Sequence, residues 1–177
     1  MAHNTITVND FKPDISGAIS YTSSTPIILI GRNHSQSYDS NPASPTLAAG
    51  STLYFYDTNP INTISGATLT SSNNWVSGVT LPAGTYVMSM LFSCVFSASG
   101  SIHFGFKVGS NFQGSIAACG GLENVYLNGS GVSVNTKTLT ASTAYTFNVF
   151  SASNVASVSS QGNIPSEQSY VLIQKMS

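Results

Sequence analysis

The amino-acid sequence predicts an all-β sandwich, and three observations support this fold class. From Ser51 onward, short runs of β-branched and aromatic residues alternate with clusters of Gly, Asn, Ser and Pro at intervals of about 8 to 12 residues. No segment shows the apolar spacing of an amphipathic helix. The 177 residues are enough for one domain that buries a core without disulfide bonds or a structural metal.

The chain divides into residues 1–50 and a domain of residues 51–177. The first segment combines one β-like run, TPIILIG at 25–31, with SQSYDSNPASP at 35–45, which is rich in Ser, Asn and Pro. We interpret this segment as an N-terminal arm, an extended segment with short strands. Such an arm would become ordered against neighbouring subunits by loop contacts or by adding a strand to their sheets.

The clearest predicted strand is GTYVMSMLFSCVF at 84–96, whose side chains alternate between two faces. The opposite face to the core includes Val87, Ser89 and Leu91, and it is neither charged nor strongly apolar. This composition suits a surface covered by another subunit, although a loop of the same chain would also serve. The predicted core face carries Tyr86, Met88, Met90, Phe92, Cys94 and Phe96.

A second alternating strand is SIHFGFKV at 101–108, and the SASG at 97–100 suits a hairpin turn between the two strands. Its core side is predicted to comprise Ile102, Phe104, Phe106 and Val108. With the run at 25–31, these strands and the remaining ones reach the eight that a jelly roll requires. The remaining strands are STLYFYD (51–57), QGSIAAC (113–119), GVSVNTKTL (131–139), AYTFNVFSA (144–152) and SYVLIQKM (169–176).

The composition indicates a protein that assembles with copies of itself. Charged residues make up 6% of the chain, against about a quarter of an average soluble domain, and the net charge is -1. Little repulsion would therefore keep copies apart, and we expect much of the surface to be covered in an assembly. The five basic residues are scattered along the chain, so no basic patch favours nucleic acid as a partner.

The sequence predicts no signal peptide and no membrane insertion. The N-terminus MAHNTITVNDF lacks a basic start followed by an apolar stretch, and no run approaches the ~20 apolar residues that cross a bilayer. Cys94 and Cys119 could pair in space. Without a secretory signal, two buried free thiols are the favoured interpretation.

No pattern of catalytic or metal-binding residues is present in the sequence. His3, His34 and His103 are too far apart in sequence for a metal motif, and the GSG at 129–131 lacks the framing of a catalytic serine. The six acidic residues form no paired or calcium-binding cluster, which favours turn and cap roles. We therefore predict a protein that is not an enzyme and that carries no cofactor and no metal.

Three segments in the second half share their order with a known family. VTLPAGTYVMSM at 79–90 looks like the family's glycine-tyrosine entry to a long aromatic strand. NVYLNGSGVSVNTKTLTASTAYTFNVF at 124–150 looks like its paired strands with a short turn, and SYVLIQKM looks like its final strand. From Trp75 to Met176 the chain thus resembles the tumour necrosis factor/C1q-like jelly-roll superfamily, as found in viral capsid-associated and spike proteins.

The resemblance implies a jelly-roll β-sandwich that forms a homotrimer, with the residues of one sheet around the three-fold axis. Together with the missing signal peptide, the few charges and the arm, the jelly roll favours a virion structural protein on the capsid surface, either a minor capsid or cementing subunit or a vertex spike, with other capsid proteins as partners. In that arrangement the arm is dispensable for folding, and deletion of residues 1–48 is expected to leave a folded trimer. The interface residues that the resemblance implies are Val87, Ser89, Leu91, Tyr126 and Tyr170.

The alternative is a receptor- or glycan-binding head domain of a viral or phage fibre. Tyr54, Tyr56 and Trp75 are its candidate contact residues, with Tyr126 as a further one, because exposed aromatic rings stack on sugars or fill a partner's pocket. Core packing is the default expectation for Trp75. A secreted cytokine-like ligand is a third hypothesis, and the absence of a recognisable signal peptide argues against it.

Overall fold

The computed structural model describes residues 11–13, 19–21, 25–31, 48–92, 94–95, 100–121, 126–127, 135–153 and 169–177. Every regular element in these ranges is a β-strand, and none is a helix. The strands are β1 (Phe11–Pro13), β2 (Ile19–Tyr21), β3 (Ile27–Ile30), β4 (Phe55–Tyr56), β5 (Ile61–Asn62), β6 (Thr68–Ser72), β7 (Trp75–Leu81), β8 (Gly84–Leu91), β9 (Cys94–Val95), β10 (Gly100–Val108), β11 (Asn111–Gly121), β12 (Tyr126–Leu127), β13 (Asn135–Leu139), β14 (Thr143–Ser153) and β15 (Tyr170–Lys175).

Two antiparallel sheets form the body of the protein. The five-stranded sheet has the order β13-β8-β15-β3-β5, and the six-stranded sheet has the order β11-β10-β14-β7-β4, with β6 also paired to β7. Two further antiparallel pairs, β1 with β2 and β9 with β12, stand apart from them. The predicted all-β class is confirmed, and the two sheets are compatible with a β-sandwich.

One hydrophobic core lies between the two sheets. The predicted core positions of β8, from Tyr86 through Met90, are almost completely buried, and so is Phe92 just beyond the strand. In the six-stranded sheet Phe104 and Phe106 are completely buried, as predicted. Aromatic rings join the sheets edge to face: Phe55 and Phe92 have centroids 6.1 Å apart. The side chains of Cys94, Phe96 and Cys119 lie outside the described residues.

The hairpin of β6 and β7 was not predicted, although its turn explains it well. Asn73 and Asn74 both have positive φ, at 49° and 67°, which is the backbone of a type I′ turn. Asparagine tolerates this conformation better than other non-glycine residues. The turn sets the pairing of Ser72 with Trp75, so β7 enters the six-stranded sheet in a fixed register.

The prediction that a hairpin turn at 97–100 joins two paired strands is wrong. β8 pairs with β13 and β15 in the five-stranded sheet, whereas β10 pairs with β11 and β14 in the six-stranded sheet. The connection between β8 and β10 therefore crosses from one sheet to the other. Alternation of side chains assigns a strand to a core face but does not identify the strand beside it, which explains the error.

β3 falls within the segment that the sequence assigns to an arm, yet it packs as a strand of the sandwich. It lies between β15 and β5, and Ile28 and Ile30 have no exposed surface. The expectation that residues 1–48 are dispensable for folding does not fit this position. Most of the remaining arm segment lies outside the described residues, so its docking role stays a prediction.

A candidate assembly surface

The side of the five-stranded sheet that points away from the core, here called the outer sheet face, is the candidate functional surface. Side chains alternate along its strands between completely buried core positions and half-buried outer positions. Because strand side chains point alternately to the two sides, the half-buried set forms one continuous face. Its members on β3, β5, β8 and β15 are Ile27, Leu29, Ile61, Thr85, Val87, Ser89, Leu91, Tyr170, Leu172 and Gln174.

The strand register brings these side chains into transverse rows. Leu172 of β15 lies opposite Ser89 of β8 on one side and opposite Leu29 of β3 on the other, and Leu29 lies opposite Ile61 of β5. Directly opposed side chains in antiparallel strands have Cβ atoms about 5 Å apart and contact one another. Ser89 Oγ donates a hydrogen bond to Leu172 O at 3.3 Å. This row therefore presents an almost purely apolar stripe across four strands.

The neighbouring rows have the same neutral character. Tyr170 lies opposite Leu91, and Gln174 lies opposite both Val87 and Ile27. The lysines of this sheet, Lys137 and Lys175, are both in register with the buried Tyr86 and so belong to the other side of the sheet. Among the described residues the outer sheet face carries no charge, and covering it with a second copy would leave no ion without solvent or partner.

The structure brings four of the five predicted interface residues together. Val87, Ser89 and Leu91 alternate along β8, and Tyr170 stands beside Leu91. Tyr126 begins β12, which pairs with β9, and its side chain lies outside the described residues.

Sequence reasoning missed Leu29, Ile61 and Leu172 as members of this face. A signal for Leu29 was present in the IILI run, since a strand that is apolar on both sides is typical of one covered on both sides. The pairing of β3 with β15 could not be deduced from that run.

The three aromatic residues proposed for ligand contact lie at one edge of the six-stranded sheet. Trp75 is 4% exposed and belongs to the core. Its ring packs edge to face against Tyr56, with centroids 5.1 Å apart and an interplanar angle of 66°. Tyr54 and Tyr56 are half-buried against the core. The burial of Trp75 disfavours a role in stacking on a ligand. It agrees with the default expectation that Trp75 packs in the core.

Asp57 is the acidic residue of the described part of the chain, and its side chain has a structural role. The residue is 1% exposed, and its carboxylate accepts hydrogen bonds from Gly31 N at 2.9 Å and Asn59 N at 2.8 Å. Its own N–H donates to Asn74 O at 2.9 Å. This is the turn-forming role that the sequence predicts for the acids, and it ties β3 of one sheet to β4 and the β6–β7 turn of the other.

Two tyrosines, Tyr86 and Tyr145, are buried in the core. Burial raises the pKa of Tyr86 and that of Tyr145 above the ordinary value, because the phenolate would lose its hydration. Tyr86 Oη donates a hydrogen bond to Pro82 O at 2.9 Å. Across the described ranges, no group of three or more His, Cys, Asp or Glu side chains could hold a metal ion.

Comparison with known proteins leaves the outer sheet face as the main guide to function. The chain matches no protein-family model and no curated protein sequence. In the part of the chain that the structure describes, no helix has the length and apolar character needed to span a membrane.

Proposed function

We propose that this chain is a structural subunit that forms a homotrimer through the outer sheet face and acts as a virion protein on the capsid surface. The observation that carries the proposal is the uncharged, largely apolar character of that face across four neighbouring strands. Burying such a face gains about 25 cal/mol per Å² of apolar surface without desolvating any charge. The protein would act by contact and shape, not by chemistry.

The strand order supports a jelly-roll topology of the tumour necrosis factor/C1q-like kind. Four strands of each sheet correspond to the eight of a jelly roll: β3, β8, β13 and β15 in one sheet, and β7, β10, β11 and β14 in the other. Between successive members of this set, the chain changes sheets at every connection except that from β10 to β11. Eight strands divided between two sheets in this way are the architecture of jelly-roll proteins.

The trimeric state and the virion assignment rest on the resemblance together with the surface chemistry. In the resembling family the sheet equivalent to β13-β8-β15-β3-β5 surrounds the three-fold axis, and the outer sheet face is the side of that sheet opposite the core. A chain with 6% charged residues also suits permanent burial between subunits better than life as a free monomer. Other capsid proteins would contact the remaining surface and the arm.

The test is the mass of the protein in solution, with one charge placed on the face. The native chain should have three times the mass of the 18.4 kDa monomer by light scattering. Leu172→Glu should give a folded monomer, because three carboxylates would be buried around the axis. Gln174→Glu adds a charge at a position already polar and should also weaken the trimer, with less risk to folding. Thr70→Glu, on an exposed residue of β6, is the matched control and should stay trimeric.

Two results would contradict the assembly proposal. A native chain that remains monomeric at high concentration removes its basis, and so does a trimer that tolerates both Leu172→Glu and Gln174→Glu. Circular dichroism of each variant separates loss of assembly from loss of fold. The virion assignment has its own test, which is whether antibodies against the chain label purified particles.

A further inference from the structure

One large aromatic side chain, Phe150 of β14, points to the solvent side of the six-stranded sheet beside a β-bulge. In the pairing of β10 with β14, His103 lies opposite Ser151 and Phe104 opposite Val149, which leaves Phe150 as an extra residue. The bulge allows Val149 and Ala152 both to face the core while Phe150 turns outward. Phe150 is 49% exposed, and only Met176 among large apolar side chains of the described residues is comparable.

Phe150 is not isolated, because a second ring and a cation stand beside it. Phe112 of β11 packs edge to face on Phe150, with ring centroids 5.2 Å apart and an interplanar angle of 86°. β10 runs between the strands of these two rings, and there Gly105 has no side chain to separate them. Lys107 lies opposite Phe112, and its Nζ is 5.9 Å from the centre of the Phe112 ring.

Among the described residues, Lys107 is the charged side chain at this patch, and its charge favours an anion. Asp57 is the acidic side chain present in the described ranges, and it is buried with its oxygens bonded to backbone N–H groups of Gly31 and Asn59. It therefore does not neutralise Lys107. On the other side of Lys107, in register with it on β14, stands the exposed Thr146.

We propose that Phe112, Phe150 and Lys107 form a binding site for an acidic saccharide, with the apolar face of a pyranose ring on Phe150 and its carboxylate at Lys107. The electron-rich face of an aromatic ring attracts the weakly positive C–H groups of a sugar. Thr146, in register with Lys107, and Ser151, next to Phe150 in β14, carry hydroxyl groups that suit those of a sugar. A single lysine matches a single carboxylate, whereas acidic peptides are usually recognised by clusters of arginines.

The site is independent of the proposed trimer. It belongs to the six-stranded sheet, whereas the outer sheet face belongs to the five-stranded sheet. Assembly through the outer sheet face would therefore leave this patch open to solvent and would present one copy from each subunit. Several weak sites on one particle bind a glycan-coated surface much more tightly than one site does.

The test measures binding of N-acetylneuraminic acid and methyl glucuronide by saturation-transfer NMR and titration, with methyl glucoside as the neutral probe. The acidic probes should bind the full chain with a Kd on the order of 1 mM, and more weakly as salt increases. Phe150→Ala and Lys107→Gln should each weaken binding roughly tenfold, which corresponds to about 1.4 kcal/mol. The matched controls are Met176→Ala, another exposed apolar residue, and Lys137→Gln, and both should bind like the native chain.

Several outcomes would overturn the proposal. These are no binding of either acidic probe at millimolar concentration, equal binding of methyl glucoside, or unchanged binding after Lys107→Gln. Binding of an acidic peptide without binding of the saccharides would assign the patch to a protein partner instead. A change in oligomeric mass after Phe150→Ala would assign it to contact between copies. The saccharide-binding outcomes do not depend on the mass test of the outer sheet face, so failure of saccharide binding and failure of the proposed trimer can be told apart.

Discussion

The buried carboxylate of Asp57 holds several backbone segments in place through hydrogen bonds. One side chain satisfies two backbone N–H groups from different segments, and the backbone of the same residue reaches the β6–β7 turn. Asp57→Asn keeps the shape of the side chain but leaves it only one acceptor oxygen. The amide NH₂ group would then point at one of the two backbone N–H groups, so that two donors face each other. We expect the free energy of unfolding to fall by about 1 to 3 kcal/mol, the cost of an unsatisfied buried group. Urea denaturation measures it, and Thr70→Ala, an exposed position, should change it by less than about 0.5 kcal/mol.

A glycine makes a second link between the sheets possible at Gly114. The residue has φ of +74°, and an added Cβ would overlap the side-chain amide of Asn135. That amide donates from Nδ2 to Gln113 O at 2.9 Å, which joins β13 of one sheet to β11 of the other.

Gly114→Ala should therefore lose this hydrogen bond and also strain the backbone, at a total cost of about 2 to 4 kcal/mol. Gly109→Ala isolates the backbone term, because Gly109 has φ of +55° with no atom near its added Cβ. Unfolding free energies of both variants give the difference. Equal losses would mean that Asn135 moves aside without cost.

The position of β3 shows where the N-terminal segment ends and the sandwich begins. Val171 and Ile173 of β15 pair with Ile30 and Ile28, and all four are completely buried. Deletion of residues 1–24 should keep a cooperative thermal transition, whereas deletion of 1–48 removes β3 and exposes the apolar edge of β15. We expect the chain that lacks residues 1–48 to lose its cooperative thermal transition or to aggregate. A folded 49–177 fragment would show that the sandwich closes without β3.

Local pattern predicted the individual strands far better than their neighbours. Alternation in 84–96 and 101–108 correctly assigned Met88, Phe104 and Phe106 to the core, because the period of two is a property of the strand alone. It placed the turn at 97–100 between paired strands, which the sheets contradict. β6 was not predicted because TLTSS has little apolar character. Most of its residues are exposed, so the strand does not need to alternate apolar and polar side chains.

The candidate site was predicted in part, for the same reason. Val87, Ser89 and Leu91 share a strand, so their common face followed from the sequence. Leu29 and Leu172 join that face only through pairing between distant strands. Alternation along β14 places Phe150 on the side opposite Phe147 and Val149, but its contact with Phe112 depends on the pairing of β11 and β14 with β10, which a single sequence does not reveal.

The two sheets of the whole molecule present different chemistry to the outside. The five-stranded sheet offers a neutral apolar face, whereas the six-stranded sheet offers exposed aromatic rings next to a lysine. A subunit of this kind can bury one side against copies of itself and keep the other for a partner. In the proposed trimer, this division would give a chain with so few charges a defined orientation of assembly instead of random aggregation.

The interior of the whole molecule sets an alkaline limit to its stability. In the unfolded chain a tyrosine ionises with a pKa of about 10, whereas burial raises the pKa of Tyr86 and Tyr145 in the folded protein. Above about pH 10 the unfolded chain has therefore released protons that the folded chain retains, and the free energy of unfolding falls as pH rises. This contribution is fully present below pH 10 and is lost as pH passes through the raised pKa values.

Replacing both tyrosines should flatten this alkaline decline. Tyr86→Phe combined with Tyr145→Phe removes the two ionisations, so the slope of unfolding free energy between about pH 9 and 11 should decrease relative to the native chain. At pH 7 the Tyr86 substitution also removes the hydrogen bond to Pro82 O and should cost about 1 kcal/mol. The slope, not the level, is thus the diagnostic quantity in denaturant titrations across this range. An unchanged slope would mean that the two phenols ionise alike in the folded and unfolded chain.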